Sequence, residues 1–417
     1  MPEFEFNALV RLLLQMASII LVSRLIHLGL RRIGQPLVIA EVIGGILLGP
    51  SLLGLVWPEA MGALFPSSSM PALGLLSQVG LVLFMFLVGL ELDPALLRGK
   101  TRSSVIISQT SIVFPFLLGL GAAFWLFRDY APGGVAFLPF ALFMGIAMSI
   151  TAFPVLARIL TESGLFTSKV GAIAIACAAV DDVAAWCLLA LVVAISRAQG
   201  VASAFWTAGM ALAYIAVMFL VVRPMLKRVV GKHAFAVGGL TPTLSAMTLL
   251  LLILSATVTE IIGIHALFGA FLFGALFPKD GGLAEELIRK LETVAVVMLM
   301  PLFFAYSGLR TEIGLLGDPR DWLVAGGIVL LATIGKFGGA LLASRFTGLS
   351  WRESSAVGVL MNTRGLMELI ALNIGMDLGV ISPTLFTMLV LMALVTTFAT
   401  SPILRRVYRP GDRISGG

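Results

Sequence analysis

The chain has 417 residues, of which 59% are apolar and only 12% charged, with a formal net charge of +6. A soluble globular domain carries about 25% charge, so these values exclude a soluble enzyme and a nucleic-acid binder, and assign the basic excess to the loops of a membrane protein. The apolar runs are long and continuous rather than alternating, which also excludes a closed barrel.

The N-terminus, Met1-Pro-Glu-Phe-Glu5, is acidic where a cleaved leader would be basic, so the first apolar stretch is expected to stay in the protein. Thirteen apolar segments follow, each near the length of about 20 residues that crosses a bilayer. They are 8–30, 36–55, 71–91, 103–127, 135–160, 168–196, 203–226, 243–260, 262–278, 290–309, 321–345, 352–376 and 382–404. The second carries Glu41 and the third ends at Glu91. The fifth contains Thr151-Ala-Phe-Pro154. The sixth contains Cys177, Asp181, Asp182 and Cys187; its two cysteines read as small buried apolar residues, not as a disulfide or metal pair. Glu260 closes the eighth at a membrane surface, and His265 in the ninth reads as a packing residue. The eleventh carries Lys336, and the twelfth carries Asn362, Arg364 and Glu368. The connections are short, so the chain is expected to form a single membrane domain over 1–417 with no soluble regulatory domain.

The basic residues orient the segments. With the N-terminus outside and the loops alternating, 20 of the 28 Lys and Arg fall on the inner side, among them Arg31, Arg98, Lys100, Lys232, Arg409 and Arg413. Five fall outside (Arg11, Arg128, Arg197, Arg310 and Arg320), and Arg24, Lys336 and Arg364 lie within segments. The asymmetry predicts an odd number of crossings and a cytoplasmic C-terminus.

The two halves of the chain are weakly alike. Glu41-Val-Ile-Gly-Gly-Ile-Leu-Leu-Gly49 resembles Ala266-Leu-Phe-Gly-Ala-Phe-Leu-Phe-Gly274, Phe86-Leu-Val-Gly-Leu-Glu91 resembles Ala305-Tyr-Ser-Gly-Leu-Arg310, and Ser149-Ile-Thr151 falls opposite Met361-Asn-Thr363. Each pair is separated by seven segments, an odd number, so the related helices point opposite ways. This is an inverted repeat over about 8–196 and 243–404, linked by 203–226, and such repeats are the architecture of many secondary transporters. Transporter sites sit where helices break near the midplane. Pro154 in one half, and Asn362-Thr-Arg-Gly365 at the equivalent place in the other, predict two broken helices.

Asp181 and Asp182 lie mid-segment, where a single Asp costs about 2.5–3.5 kcal/mol on insertion scales. Adjacent helical residues point about 100° apart, so one can face a cavity and the other a neighbouring helix. Lys336, the lysine deep in a segment, is the expected charge partner, and the three groups titrate as a coupled set. Arg364 and Glu368 are spaced to pair on one helix face; Arg364 can alternatively neutralise carbonyls at the break.

The segment Pro36–Pro50, Phe86-Leu-Val-Gly-Leu-Glu-Leu-Asp93, Ile150-Thr-Ala-Phe-Pro-Val-Leu-Ala157, Asp181-Asp182, Gly263–Ala270, Pro301–Arg310 and Met361–Glu368 together resemble the monovalent cation:proton antiporter-2 family, within the cation/proton antiporter superfamily. The resemblance covers nearly the whole chain. It implies an all-α polytopic fold with two crossed, broken helices in a core domain, a dimerisation domain and a homodimer, in a bacterial inner membrane. It implies that Asp182 binds the cation or the proton, that Asp181 pairs with Lys336, and that Thr151 stands beside the ion. Members with two adjacent aspartates are commonly sodium/proton exchangers, whereas potassium-handling members often carry Asn or Gln at the position of Asp181.

The expectation is a secondary antiporter, not an enzyme, exchanging a monovalent cation for protons by alternating access. Its partners are the lipid bilayer, the cation (Na+ before K+) and the proton, with no cofactor and no nucleic acid. Potassium/proton exchange on the same scaffold is the nearest alternative; a sodium-coupled organic-anion symporter and an ion channel are the others.

Overall fold

The computed structural model describes residues 7–91, 102–166, 168–197, 201–228, 240–279 and 282–408. Leu92 and Asp93 of the Phe86 motif lie outside these, as do Arg98, Lys100, Lys232, Arg409 and Arg413 of the basic set. The described residues are helical with short connections and contain no strand. Nine helical stretches among them are long and apolar enough to cross a membrane: Ala8–Ile33, Leu37–Val56, Met70–Glu91, Val105–Tyr130, Lys169–Arg197, Trp206–Arg228, Pro242–Ile262, Pro319–Phe346 and Pro383–Val407. The other four expected segments take other forms. Segment 135–160 is two helices, Phe137–Ser149 and Phe153–Glu162; segment 352–376 is also two, Trp351–Met361 and Leu366–Asp377. Segment 262–278 is an 11-residue helix, Ala266–Leu276. Segment 290–309 joins the amphipathic Leu283–Glu292 helix, a π-helical stretch Thr293–Leu299 and the Met300–Leu309 helix.

Helix starts follow ordinary capping chemistry. Asn7, Thr241, Asp318 and Ser382 each accept a backbone N–H of the following turn through the side chain. Ser350 and Glu353 form a reciprocal capping box at the start of Trp351–Met361. Several prolines stand in the first turn of helices, where no intrahelical donor is lost, whereas Pro115 and Pro402 lie inside helices. Pro154 is one of the first-turn prolines, so it marks the start of a new helix after a break and not a kink within one.

The chain divides into two compact units. One comprises Met1–Ser69, Ala95–Leu189 and Phe304–Gly417; the other comprises Met70–Pro94 and Ala190–Phe303. In the first, Leu37–Leu48 packs against residues 304–309 with no room for a side chain between them. A Cβ at Gly45 would run into the carbonyl oxygen of Ala305, and one at Gly308 into that of Val42. In the second, the same kind of crossing joins Met70–Glu91 to Ala266–Leu276: a Cβ at Gly89 would strike the Phe271 carbonyl, and one at Gly274 that of Phe86. Small residues at such crossings let backbones approach closely where lipid offers no hydrophobic drive to associate.

Several charged residues outside the site are paired. In the first unit Arg310 bonds Asp377 at 2.7 Å and Asn373 at 3.0 Å. In the second, Arg197 bonds Glu260 at 3.1 Å, Glu260 also accepts the Ala266 N–H, and His265, at φ +80°, begins the Ala266–Leu276 helix. Glu41 is buried, with Arg24 and Arg158 as the nearest compensating charges, and Glu91 is exposed at its helix end. Cys177 is buried, as expected, but Cys187 is exposed. In an all-apolar helix a small side chain is equally at home on an outward face, so burial there could not be read from composition.

Candidate functional site

Every candidate site residue falls in the first unit, where the breaks in the two interrupted helices meet. The chain between Ser149 and Phe153 is extended, and it lies along residues 361–363. The Ala152 N–H donates to the Thr363 carbonyl at 3.0 Å, and the Thr151 hydroxyl stands 3.1 Å from the Met361 carbonyl. Non-helical backbone at membrane depth survives only when its polar groups find such partners. Gly365 closes the second break at φ +157°, ψ −123°, a conformation costly for any residue with a side chain, and a Cβ there would sit 2.9 Å from Cγ2 of Val155.

The ends of the first broken helix carry opposite partial charges, and each meets a side chain of the opposite sign. At the C-terminal end of Phe137–Ser149, the Arg364 guanidinium donates from Nη1 to the Ala147 carbonyl and from Nη2 to the Met148 carbonyl at 2.7 Å. At the N-terminal end of Phe153–Glu162, the Phe153 N–H donates to the Asp182 carboxylate. Arg364 also donates to Glu368 Oε2 at 2.8 Å, with both side chains fully buried. The ion pair and the carbonyl cap, offered by the sequence as alternatives, therefore coexist. The Thr397 hydroxyl completes the turn, accepting the Arg364 N–H at 3.0 Å and donating to the Arg364 carbonyl at 2.7 Å.

Asp181 and Asp182 sit on the Lys169–Arg197 helix and face different neighbours. Asp181 is encircled. Its Oδ2 accepts from Lys336 Nζ at 2.8 Å, Ser111 Oγ at 2.9 Å and Thr151 Oγ1 at 3.0 Å, and its Oδ1 accepts from Ser108 Oγ at 3.1 Å. A buried ion pair repays its desolvation only when hydrogen bonds fill the remaining positions, and here they do. Lys336 stands in a π-helical turn, Ile334–Gly338, and wide turns of this kind recur at functional sites. The neighbouring Gly335 lets the Arg102–Tyr130 helix approach at Pro115, which brings Ser108 and Ser111 to the same carboxylate.

Asp182 is held differently. It is 4% exposed, and among the described residues its Oδ1 has no hydrogen-bond partner. Asn362, which ends Trp351–Met361 at the second break, likewise leaves Oδ1 unpartnered. A carboxylate oxygen without a donor, such as Asp182 Oδ1, has the chemistry to accept a cation or a proton.

Sequence reasoning missed four members of the site: Ser108 and Ser111, which bind Asp181, and Thr397 and Thr400, which bind residues 363 and 364. Only the three-residue spacing of the two serines on one helix face could have signalled any of them.

A family model described as sodium/hydrogen exchanger, transmembrane, matches residues 17–406. The Na(+)/H(+) antiporter NhaS4 of Synechocystis sp. is 45% identical over 405 residues, 97% of this chain and 98% of that protein. Cation/H(+) antiporter 17 of Arabidopsis thaliana is 42% identical over 98% of this chain, and K(+)/H(+) antiporter 1 of Saccharomyces cerevisiae is 35% identical over 97%. This chain spans 50% and 47% of the length of those two proteins. The structure of the sodium proton antiporter MjNhaP1 from Methanocaldococcus jannaschii superposes with a TM-score of 0.67, covering 96% of this chain and 97% of that one at 15% identity, which establishes a shared fold. The chain is an integral membrane protein and belongs to the sodium/hydrogen exchanger family.

Proposed function

We propose that the protein is a secondary antiporter that exchanges sodium for protons by alternating access, with Asp182 carrying whichever ligand crosses. The observation that carries this reading is the contrast within the aspartate pair: Asp181 has four side-chain donors in reach, while Asp182, at the first helix break, presents an unpartnered oxygen. The near full-length likeness to a protein named as a Na(+)/H(+) antiporter supports sodium as the cation. The yeast relative named as a K(+)/H(+) antiporter keeps potassium as the second reading. One site with two competing ligands gives exchange when the empty, charged carrier moves slowly, because bare charge at mid-membrane is costly.

The same reading includes thirteen crossings. Nine are the long stretches above, and the other four are the two broken helices, the Ala266–Leu276 helix and the composite path over residues 290–309. The inverted repeat is supported by the two glycine crossings. The segments at residues 41–49 and 266–274 and those at 86–91 and 305–310 were matched by sequence, and each crossing joins one member of the first match to one member of the second. An odd count sets the termini on opposite sides, and the distribution of basic residues supports an outside N-terminus and a cytoplasmic C-terminus, in a bacterial inner membrane. A homodimer, and a single transport domain over the whole chain, complete the proposal.

The experiment is cation-induced dequenching of a pH-sensitive dye in proteoliposomes with Na+, Li+ and K+ at several pH values. Proton competition at one site predicts that the half-saturating cation concentration rises as pH falls, about tenfold per unit where one proton competes. A half-saturation independent of pH contradicts a shared site, and a response to K+ alone replaces sodium with potassium.

A further inference from the structure

The donors around Asp181 are not all committed to it. A serine or threonine hydroxyl has one hydrogen to give and two lone pairs to accept with. The Ser111 hydroxyl has two acceptors in reach, Asp181 Oδ2 at 2.9 Å and the Ser108 carbonyl at 3.0 Å. Thr151 has the same choice, between Asp181 Oδ2 at 3.0 Å and the Met361 carbonyl at 3.1 Å. Each can give its hydrogen to only one of the two. Ser108 differs: its hydroxyl bonds Asp181 at the other oxygen, Oδ1, at 3.1 Å. Ser108, Ser111, Thr151 and Lys336 are all completely buried, so a donor that lost Asp181 without a substitute would be costly to keep.

We propose that Ser111 is a ligand of the transported cation. When a cation carried by Asp182 also engages Asp181 Oδ2, Lys336 yields that oxygen, and the hydroxyls of Ser111 and Thr151 turn their hydrogens to the Ser108 and Met361 carbonyls and present their oxygens to the ion. Both hydroxyls keep an acceptor throughout, so the switch leaves neither buried O–H unpaired. The cation then meets hard oxygen ligands in place of the water it sheds, as ions do in selectivity filters. Ser111 thereby joins Thr151 in setting cation affinity, while Ser108 steadies the carboxylate and takes no part in ligation. The inference rests on the antiport reading.

The test uses the full chain in proteoliposomes and measures half-saturating Na+ and maximal rate separately. Ser111→Ala is expected to raise half-saturation about ten- to hundredfold, the effect of losing one contact to a charged group, with a much smaller change in maximal rate. Ser111→Thr restores the oxygen and brings half-saturation back to within about threefold of wild type. Ser111→Cys keeps size and a weak donor but substitutes a soft sulfur; it remains impaired for Na+, which keeps the proposal falsifiable if the alanine variant fails to fold. Ser108→Ala, which removes a donor from the other carboxylate oxygen, raises half-saturation less than Ser111→Ala does. An unchanged half-saturation in Ser111→Ala and Ser111→Cys overturns the proposal, as does a Ser108→Ala effect as large as that of Ser111→Ala, which would make both serines mere supports of the carboxylate. Absence of any cation-dependent proton movement in the wild type overturns the antiport reading and this inference with it.

Discussion

Lys336 Nζ and Asp181 Oδ2 meet at 2.8 Å, both side chains fully buried, although 155 residues separate them in sequence. The pair is the electrostatic counterweight of the site. In the proposed antiport it leaves Asp182, next door on the same helix, available to a mobile cation or proton.

Removing one member of a buried pair strands the other's charge, which costs about 3–5 kcal/mol, whereas replacing both can be nearly neutral. Lys336→Gln is therefore expected to lower the apparent unfolding midpoint in detergent sharply. Asp181→Asn combined with Lys336→Gln is expected to recover most of the loss. A double variant as unstable as the single one would show that the pair does not carry this energy.

Arg364 serves two carbonyls and one carboxylate at once. Arg364→Lys keeps the charge but lacks the planar fork, so it should retain part of the stability and lose most transport. Arg364→Gln should cost about 3–5 kcal/mol by stranding Glu368, with partial recovery on adding Glu368→Gln. Thermal unfolding and proteoliposome flux, read side by side, separate these outcomes.

At the second break, Gly365→Ala adds a methyl group where φ is +157° and Val155 already fills the space. Backbone strain of this kind costs about 1–3 kcal/mol. Limited proteolysis and the unfolding midpoint should both report it; wild-type stability would contradict the conformation described.

How much of this was legible beforehand differs by residue. Asp181, Asp182, Lys336 and Arg364 announce themselves because charge within an apolar segment is expensive and therefore conspicuous. The breaks were legible from Pro154 and from the Asn362–Gly365 run. The hydroxyl ligands were not: serine and threonine are cheap in membrane helices and usually bond their own preceding turn, as Thr248 and Thr396 do here. The π-helical turn under Lys336 has no sequence signature, and the lengths of Ala266–Leu276 and the Leu283–Leu309 path follow from packing, not from hydropathy. Cys187 shows the converse limit, since in a bilayer an apolar residue fits outside as well as inside.

Outside the spanning segments, the Glu286 carboxyl is held below the usual carboxylate range, first because the Leu240 N–H donates to it at 2.8 Å and then because Lys290 pairs with it at 3.0 Å. A depressed carboxyl contributes stability above its unfolded value, about 4.3 for Glu, and that contribution is lost as pH falls through the lower folded value. The Leu240 amide should accordingly keep its hydrogen-exchange protection at neutral pH and lose it in acid. Glu286→Gln should be less protected at neutral pH and show no acid transition.

The central claim is that Asp182 is the carrier of both ligands. Its most direct test compares wild type with Asp182→Asn in proteoliposomes, both shown to be folded and inserted, by following proton movement driven by added Na+ or Li+. The account predicts a robust response in the wild type and none in Asp182→Asn, because the amide can neither release a proton nor neutralise a cation. Sustained cation-driven proton movement in Asp182→Asn would contradict it.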